Sequence, residues 1–316
     1  MTKFKKIFKK SISMLLSPFG TNKLIVYNLL INLIKYLGFK KLSSSLIRAF
    51  ELNGLHFVKT SIETPLGIKY LYLTNSIDDL RYACRSSFIE WESVSRSFFS
   101  SIAIDCEFVL DIGAYTGVYS IETALNNNDC RINAFEPNPI IFSNLHNNIR
   151  INKLLDRVSL FQIALGRNDG ISKLYVPELS KWNSMSSLIS TSNRYFEVTV
   201  STIDHMFNSH RVDLIKIDVE GYESEVFLGG QFVLDEFKPI ILAEALTYRE
   251  LRNQKQILSK YGYIDPIQVY SGSKSDRRNY VWFSVKDKQK VNFNLNKSRI
   301  EFIKSANKNS QKHNNF

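Results

Sequence analysis

Phe108-Val109-Leu110-Asp111-Ile112-Gly113-Ala114-Tyr115-Thr116-Gly117-Val118-Tyr119-Ser120 is the stretch on which the fold of this 316-residue chain turns. An apolar run closes on an acid, two glycines follow with three residues between them, and a periodic apolar segment begins. The order predicts strand, tight loop, helix. Glycines in such a loop let the backbone approach a ligand closely, and the helix behind it starts with unpaired N–H groups facing the loop. Tyr115 stands where the dinucleotide fingerprint G-x-G-x-x-G has its second glycine, which weighs against a pyrophosphate ligand.

Downstream lies Ile132-Asn133-Ala134-Phe135-Glu136-Pro137-Asn138-Pro139. A second strand ending in an acid is where nucleoside-binding α/β units place a carboxylate for the ribose hydroxyls, and Glu136 is assigned that role. Pro137 and Pro139 end the strand, and Pro139 can open the helix that continues through Ile151. A third strand, Val158 to Ala164, is expected to bring Ala164 to the same sheet edge, where its small side chain would let an adenine ring lie against backbone. Asp111, Gly113, Ala114, Tyr115, Gly117, Glu136, Pro137 and Ala164 are therefore the candidate cofactor contacts. The cofactor that fits them is S-adenosylmethionine, with Asp111 near its ammonium.

A second chemical centre is Asp213-Leu214-Ile215-Lys216-Ile217-Asp218-Val219-Glu220-Gly221. Read as a central strand, its alternation puts Lys216, Asp218 and Glu220 on one side, the two acids near the carboxyl end where α/β ligands bind. Charges on a buried parallel strand are costly unless paired, so the cluster reads as functional, with mutual neutralisation as the structural alternative. Glu244, ending the apolar run Ile240-Ile241-Leu242-Ala243, should reach the same edge. Asp218, then Glu220 and Glu244, are the candidate bases for taking a proton from an acceptor. No His joins them at ligand spacing, so no metal is assigned; His146 and His205 read as helix or surface residues.

Together, VLDIGAYTGVYS, AFEPNP, NLHNNIRIN, IALG, VTVSTIDH, LIKIDVEGYESEVFLGG and PIILAEA resemble, in order, the FkbM family of S-adenosylmethionine-dependent methyltransferases over about residues 88 to 246. The resemblance implies an α/β class I methyltransferase (Rossmann-like) fold, a seven-stranded, mostly parallel sheet with helices on both faces. It also implies O-methylation, often of a sugar hydroxyl in a glycan, glycolipid or natural product. Where the family's loop commonly carries Asn, this chain has Tyr115.

Charge is unevenly spread. Residues 1–50 hold ten Lys or Arg and no acid, and residues 286–316 hold eight basic and two acidic groups, leaving 23 basic and 28 acidic residues between them. The net +11 thus belongs to the ends, and a uniformly basic nucleic-acid surface is not indicated, so no nucleic-acid partner is expected. An RNA methyltransferase and a non-catalytic scaffold with the same fold are the competing readings. Cys84, Cys106 and Cys130 show no paired spacing, and Cys106 and Cys130 read as small core residues of a protein in a reducing compartment.

Four segments are expected: a basic, apolar helical extension (1–50); a hairpin and helices (51–104); the methyltransferase domain (105–290); and a basic, disordered tail (291–316). Within the first, Leu24 to Phe39 carries Asn28, Asn32 and Lys35 at helical spacing and is too short to span a bilayer. It can lie on the inner membrane face of a cytoplasmic protein or pack on the domain or a second subunit. Leu55 to Leu73 reads as a hairpin turning at Thr64-Pro65-Leu66-Gly67. The polar stretch 180–187 reads as a loop over the cleft, with Trp182 offered to a sugar ring.

Overall fold

A computed structural model of the chain describes residues 58–63, 69–74, 91–176, 188, 194–269 and 278–313, with 58–61, 63, 74 and 301–313 as backbone alone. The expectations for residues 1–50, the turn at residues 64–67, Cys84 and the stretch 180–187 with Trp182 lie outside the described residues. The chain divides into two compact units, Met1–Thr64 with Lys69–Trp91, and Pro65–Ile68 with Glu92–Phe316. In the first, β1 (Val58–Glu63) and β2 (Lys69–Thr74) pair antiparallel from Val58 opposite Thr74 to Glu63 opposite Lys69, the hairpin expected there.

The second unit opens with α1 (Ser93–Ile102), followed by β3 (Phe108–Ile112), α2 (Val118–Asn126), β4 (Arg131–Phe135), α3 (Pro139–Ile151) and β5 (Val158–Phe161). Next come β6 (Ala164–Leu165), β7 (Gly170–Tyr175), β8 (Tyr195–Ser201), α4 (Ile203–Phe207), β9 (Leu214–Ile217), α5 (Glu223–Leu228) and α6 (Gln231–Glu236). The chain then runs through β10 (Ile240–Glu244), α7 (Tyr248–Leu258), β11 (Ile267–Gln268), β12 (Asn279–Trp282) and α8 (Lys288–His313). Local chemistry sets several boundaries. Asn138 caps α3 by accepting from the Ile140 and Ile141 N–H groups, with Pro139 as the first helical residue. Thr247 and Glu250 form a reciprocal capping box at the start of α7.

Seven strands lie in the order β11-β12-β10-β9-β3-β4-β5. The run from β10 to β5 is parallel throughout, and β12 is antiparallel to both its neighbours. This is the class I methyltransferase sheet expected above. Leu110 and Ile112 on β3, Ile215 and Ile217 on β9, and Ile241 and Ala243 on β10 share one face and pack with Val226, Phe227, Val233 and Leu234 from α5 and α6. The central strands read as near-continuous apolar runs because both faces are covered, the pattern of buried parallel strands. Asp111 and Lys216 break it.

Three expectations are corrected. The third strand ends at Phe161, because its partner β4 ends at Phe135, the residue opposite, and Phe135 and Phe161 stack with centroids 4.9 Å apart. Ala164 begins a separate three-stranded sheet, β6-β8-β7, with its own small core of Ala164, Leu174, Val198 and Val200. Strand β9 stops at Ile217, so the alternation assumed for Lys216, Asp218 and Glu220 fails at its last member: Glu220 adopts φ 54° and Gly221 φ 95° in a turn. The stretch beyond Asn292 is part of α8, whose Val291, Leu295 and Ser298 are buried as it packs along α1. Helix α1 is in turn pinned to α2 by the buried Arg96–Glu122 ion pair. Among the described residues, no helix is long and apolar enough to cross a membrane.

Candidate active site

Strands β4 and β5 lie to one side of β3, while β9 and β10 lie to the other, so chain order reverses between β3 and β9. In open α/β sheets the crevice beyond the carboxyl ends of the strands at such a reversal is where ligands bind. The Gly113–Gly117 loop occupies that position. Gly113 has φ +76°, and a Cβ built on it would overlap the Asp218 carbonyl oxygen. Only glycine lets the loop after β3 lie this close to the turn after β9, which brings the two sequence-predicted centres together. The Asp218 N–H donates to Ile112 O at 3.0 Å, and the Gly113 and Ala114 N–H groups donate to Phe135 O at 3.0 and 2.9 Å. The three strand ends are thereby tied to one another.

Glu136 follows β4 as expected, buried beside the loop. Its Oε2 accepts the Tyr115 N–H at 3.0 Å and its Oε1 the Asn138 N–H at 2.9 Å. Each oxygen keeps a further lone pair for a ligand hydroxyl. Burial pushes its carboxyl up to about 8, against the pull of those two N–H groups. Pro137 is half-buried between Glu136 and Asn138. Asp111, the residue expected near the cofactor's ammonium, ends β3. It is buried, and its Oδ2 accepts both the Ser120 N–H at 3.1 Å and the Ser120 hydroxyl at 2.6 Å, so the acid closes the strand onto the first turn of α2.

Asp111 and Lys216 face each other across β3 and β9. The Lys216 side chain is only 2% exposed, and its Nζ donates to Asp218 Oδ2 at 3.1 Å, while the Asp218 side chain is 29% exposed and reaches the open end of the sheet. Burial works against the ammonium, but Asp218, Glu92 and Asp111 outweigh it and raise the lysine above its ordinary value. Lys216 is therefore a fixed cation and not a base.

Glu244 sits at the end of β10 with Arg278 Nη1 3.9 Å from its Oε1. Burial first, then the charge of Asp218, pushes it up to about 9. Burial and Asp218 likewise raise Glu220 to about 7. The turn carrying Glu220 is held by Glu223, whose Oε1 accepts the Val219 N–H at 3.1 Å and the Gly221 N–H at 3.3 Å. Asp218, Glu220 and Glu244 thus share one electrostatic neighbourhood, as expected, although Glu220 reaches it from a turn. Ala164 lies in the other sheet. His146 and His205 are exposed, the latter bonded to Asp169, and Cys106 and Cys130 are buried thiols that burial pushes up to about 12.

Glu92 also belongs to this neighbourhood. It is buried at the start of α1 and accepts the Tyr119 hydroxyl at 2.8 Å. No local signal distinguishes it, since its burial depends on a tyrosine 27 positions away.

Residues 111–264 match the family described as the methyltransferase FkbM domain. The chain carries an FkbM methyltransferase domain. The matched span starts on the acid of β3 and ends after α7, so Glu92 and α1 precede the FkbM domain while β11, β12 and α8 follow it. Methyltransferase sdnD of Sordaria araneosa is 28% identical over 157 residues, 39% of this chain and 60% of that protein. Methyltransferase 1 of Beauveria bassiana is 28% identical over 149 residues, 40% of this chain and 59% of that protein. The chain thus spans about three fifths of these curated relatives. Among solved structures, methyltransferase FkbM from Methylobacillus flagellatus is 17% identical with a TM-score of 0.44, over 66% of this chain and 54% of that one. An O-methyltransferase from Bacillus cereus in complex with SAH is 13% identical with a TM-score of 0.37, over 60% and 79%.

The raised acids of the FkbM domain make its stability depend on pH. Glu136 at about 8, Glu244 at about 9, and Glu220 and Glu223 at about 7 all exceed their ordinary value of 4.5. A folded-state pKa above the unfolded one means that the fold holds a proton the unfolded chain releases. Stability is full below about pH 4.5 for these groups and is lost as pH rises toward 9, by about 1.4 kcal/mol per pH unit for each carboxyl still protonated only in the fold. Urea denaturation at pH 5.5, 7 and 8.5 should give successively lower midpoints; a flat profile would contradict the burial of these acids.

Proposed function

We propose that the FkbM domain transfers a methyl group from S-adenosylmethionine to a hydroxyl of an acceptor, most simply that of a sugar in a glycan, glycolipid or natural product. The observation that carries the cofactor assignment is Glu136, a buried carboxyl group at the end of β4 beside a glycine loop packed on the neighbouring strand's turn. The donor set fits the group: Glu136 retains acceptor capacity for the two ribose hydroxyls, and the loop from Gly113 to Gly117 offers backbone to the remainder. When bound, the cofactor supplies an electrophilic methyl on a sulfonium.

The rest falls to the chain. The acceptor hydroxyl must lose its proton as it attacks, and the partly exposed Asp218 stands where the proton can be taken. Lys216 holds one Asp218 oxygen, fixing the carboxylate's orientation. Glu244, raised to about 9, is a neutral acid at pH 7 and can donate a hydrogen bond to an acceptor oxygen. Glu220 sits between these roles. Environments that drive neighbouring carboxyls apart in this way are how one site divides acid from base.

Calorimetric titration with S-adenosylmethionine tests the assignment. Wild-type protein should bind, and Glu136→Ala should bind about tenfold or more weakly, the worth of about one to two lost hydrogen bonds. Equal affinities would remove Glu136 from the site, and a folded wild type without binding would remove the cofactor.

A further inference from the structure

Glu92 adopts φ 45° and ψ 31° at the N-cap of α1, a left-handed conformation costly for any residue with a Cβ. Glutamate is not among the residues that cap helices well, and Glu92 makes no side-chain cap hydrogen bond. Its Oε2 instead accepts the Tyr119 hydroxyl at 2.8 Å. Tyr119 lies in the first turn of α2, buried edge-on against Phe99 of α1 with ring centroids 5.4 Å apart. On its ring face, 5.0 Å from the centroid, sits the Lys216 ammonium, which donates to Asp218. The contacts form one chain: Glu92 to Tyr119 hydroxyl, Tyr119 ring to Lys216, Lys216 to Asp218. Its first member is anchored by a helix that has fixed partners of its own, the Arg96–Glu122 pair and the Asn279 amide on Ser95 Oγ at 3.1 Å.

We propose that Glu92 is a positioning residue: by holding the Tyr119 hydroxyl it fixes the ring that floors the Lys216 ammonium, and the ammonium in turn sets the Asp218 carboxylate. Only the meaning given to Asp218 rests on the methyl-transfer reading; the geometry of the chain does not. A buried ammonium confined on several sides exchanges its protons slowly, and loosening one side speeds that exchange. Substitutions at Glu92 and Tyr119 should therefore be felt at Lys216, a consequence that a tyrosine merely packing between α1 and α2 would not produce.

The experiment is a ¹H–¹⁵N correlation of lysine ammonium groups in the full chain, with the Lys216 signal assigned by its loss in Lys216→Arg. Tyr119→Phe keeps the ring and removes the hydroxyl, and Glu92→Ala removes its acceptor. Each should raise the Lys216 exchange rate by about tenfold or more, and the double variant should match Glu92→Ala alone, which removes both that bond and the Glu92 charge that Lys216 feels. Glu92→Gln still offers an oxygen to the hydroxyl and should return to within about threefold of wild type. Unchanged exchange in the first two variants, or effects that multiply in the double one, would overturn the proposal. Should Glu92→Ala not fold, Tyr119→Phe decides, because it conserves volume. The same variants should bind S-adenosylmethionine as wild type does. A wild type that fails to bind would remove the methyl-transfer reading and leave the Lys216 result standing.

Discussion

Gly113→Ala should abolish cofactor binding and lower the melting temperature by about 10 °C. Two costs combine. An alanine at φ +76° pays about 1–2 kcal/mol for the left-handed backbone. Its methyl group would also overlap the Asp218 carbonyl oxygen, a backbone atom that no rotamer change can move aside. Relief requires separating the loop after β3 from the turn after β9, at a further cost of about 1–3 kcal/mol. That same separation opens the cradle. Gly229→Ala is the control: a Cβ there would overlap the Gly166 carbonyl oxygen, with φ −88° adding no strain, beside the smaller sheet. It should also lose stability but still bind cofactor at temperatures where it is folded. Thermal melts and calorimetry on both variants read the contrast, and normal cofactor affinity in Gly113→Ala would show that the contact with Asp218 does not shape the site.

Asp218→Asn should reduce methyl transfer by about 10²- to 10⁴-fold, the range for removing a general base, while cofactor affinity stays within about threefold. Asparagine keeps the shape and an oxygen for Lys216 but cannot take a proton. The change also has a signature that needs no acceptor. Asp218 is one cause of the raised Glu244 carboxyl and Lys216 an opposing one, so removing the Asp218 charge should bring Glu244 below about 9. Carboxyl ¹³C NMR across pH reads that midpoint directly. Undiminished transfer would pass the proton-accepting role to Glu220, and an unmoved Glu244 would mean that the two acids do not share a field.

What the sequence made legible is what local chemistry determines. Glu136 followed by two prolines is a strand end whether or not the neighbours are known, and Asn138-Pro139 announces a helix start. Gly113 and Gly117 marked the loop, and apolar runs located β3, β9 and β10. Less legible was anything decided by a partner distant in sequence. Strand β5 stops at Phe161 because β4 runs out of residues opposite it, which its own composition does not reveal. Strands β7 and β8 went unread because their alternation is imperfect: Ile171 is 78% exposed, and only Leu174, Val198 and Val200 turn inward to a core of four residues. Asp111 was recognised as special, but its bond to Ser120, nine positions on, makes it part of the loop's own framework. Helix α8 looked like a polar tail because its buried residues, Val291, Leu295 and Ser298, form a thin stripe that gains meaning only against α1.

Strand β12 enters the sheet between β10 and β11 and antiparallel to both, although it follows them in the chain. During synthesis, therefore, the other six strands of this sheet leave the ribosome before the piece that fills the gap. Until Asn279–Trp282 emerges, β10 presents an open ladder of backbone donors and acceptors, the kind of edge on which a neighbouring nascent chain can pair. Premature termination just before Arg278 would leave the loop, Glu136 and Asp218 all encoded, yet yield a protein whose failing is aggregation and not missing chemistry.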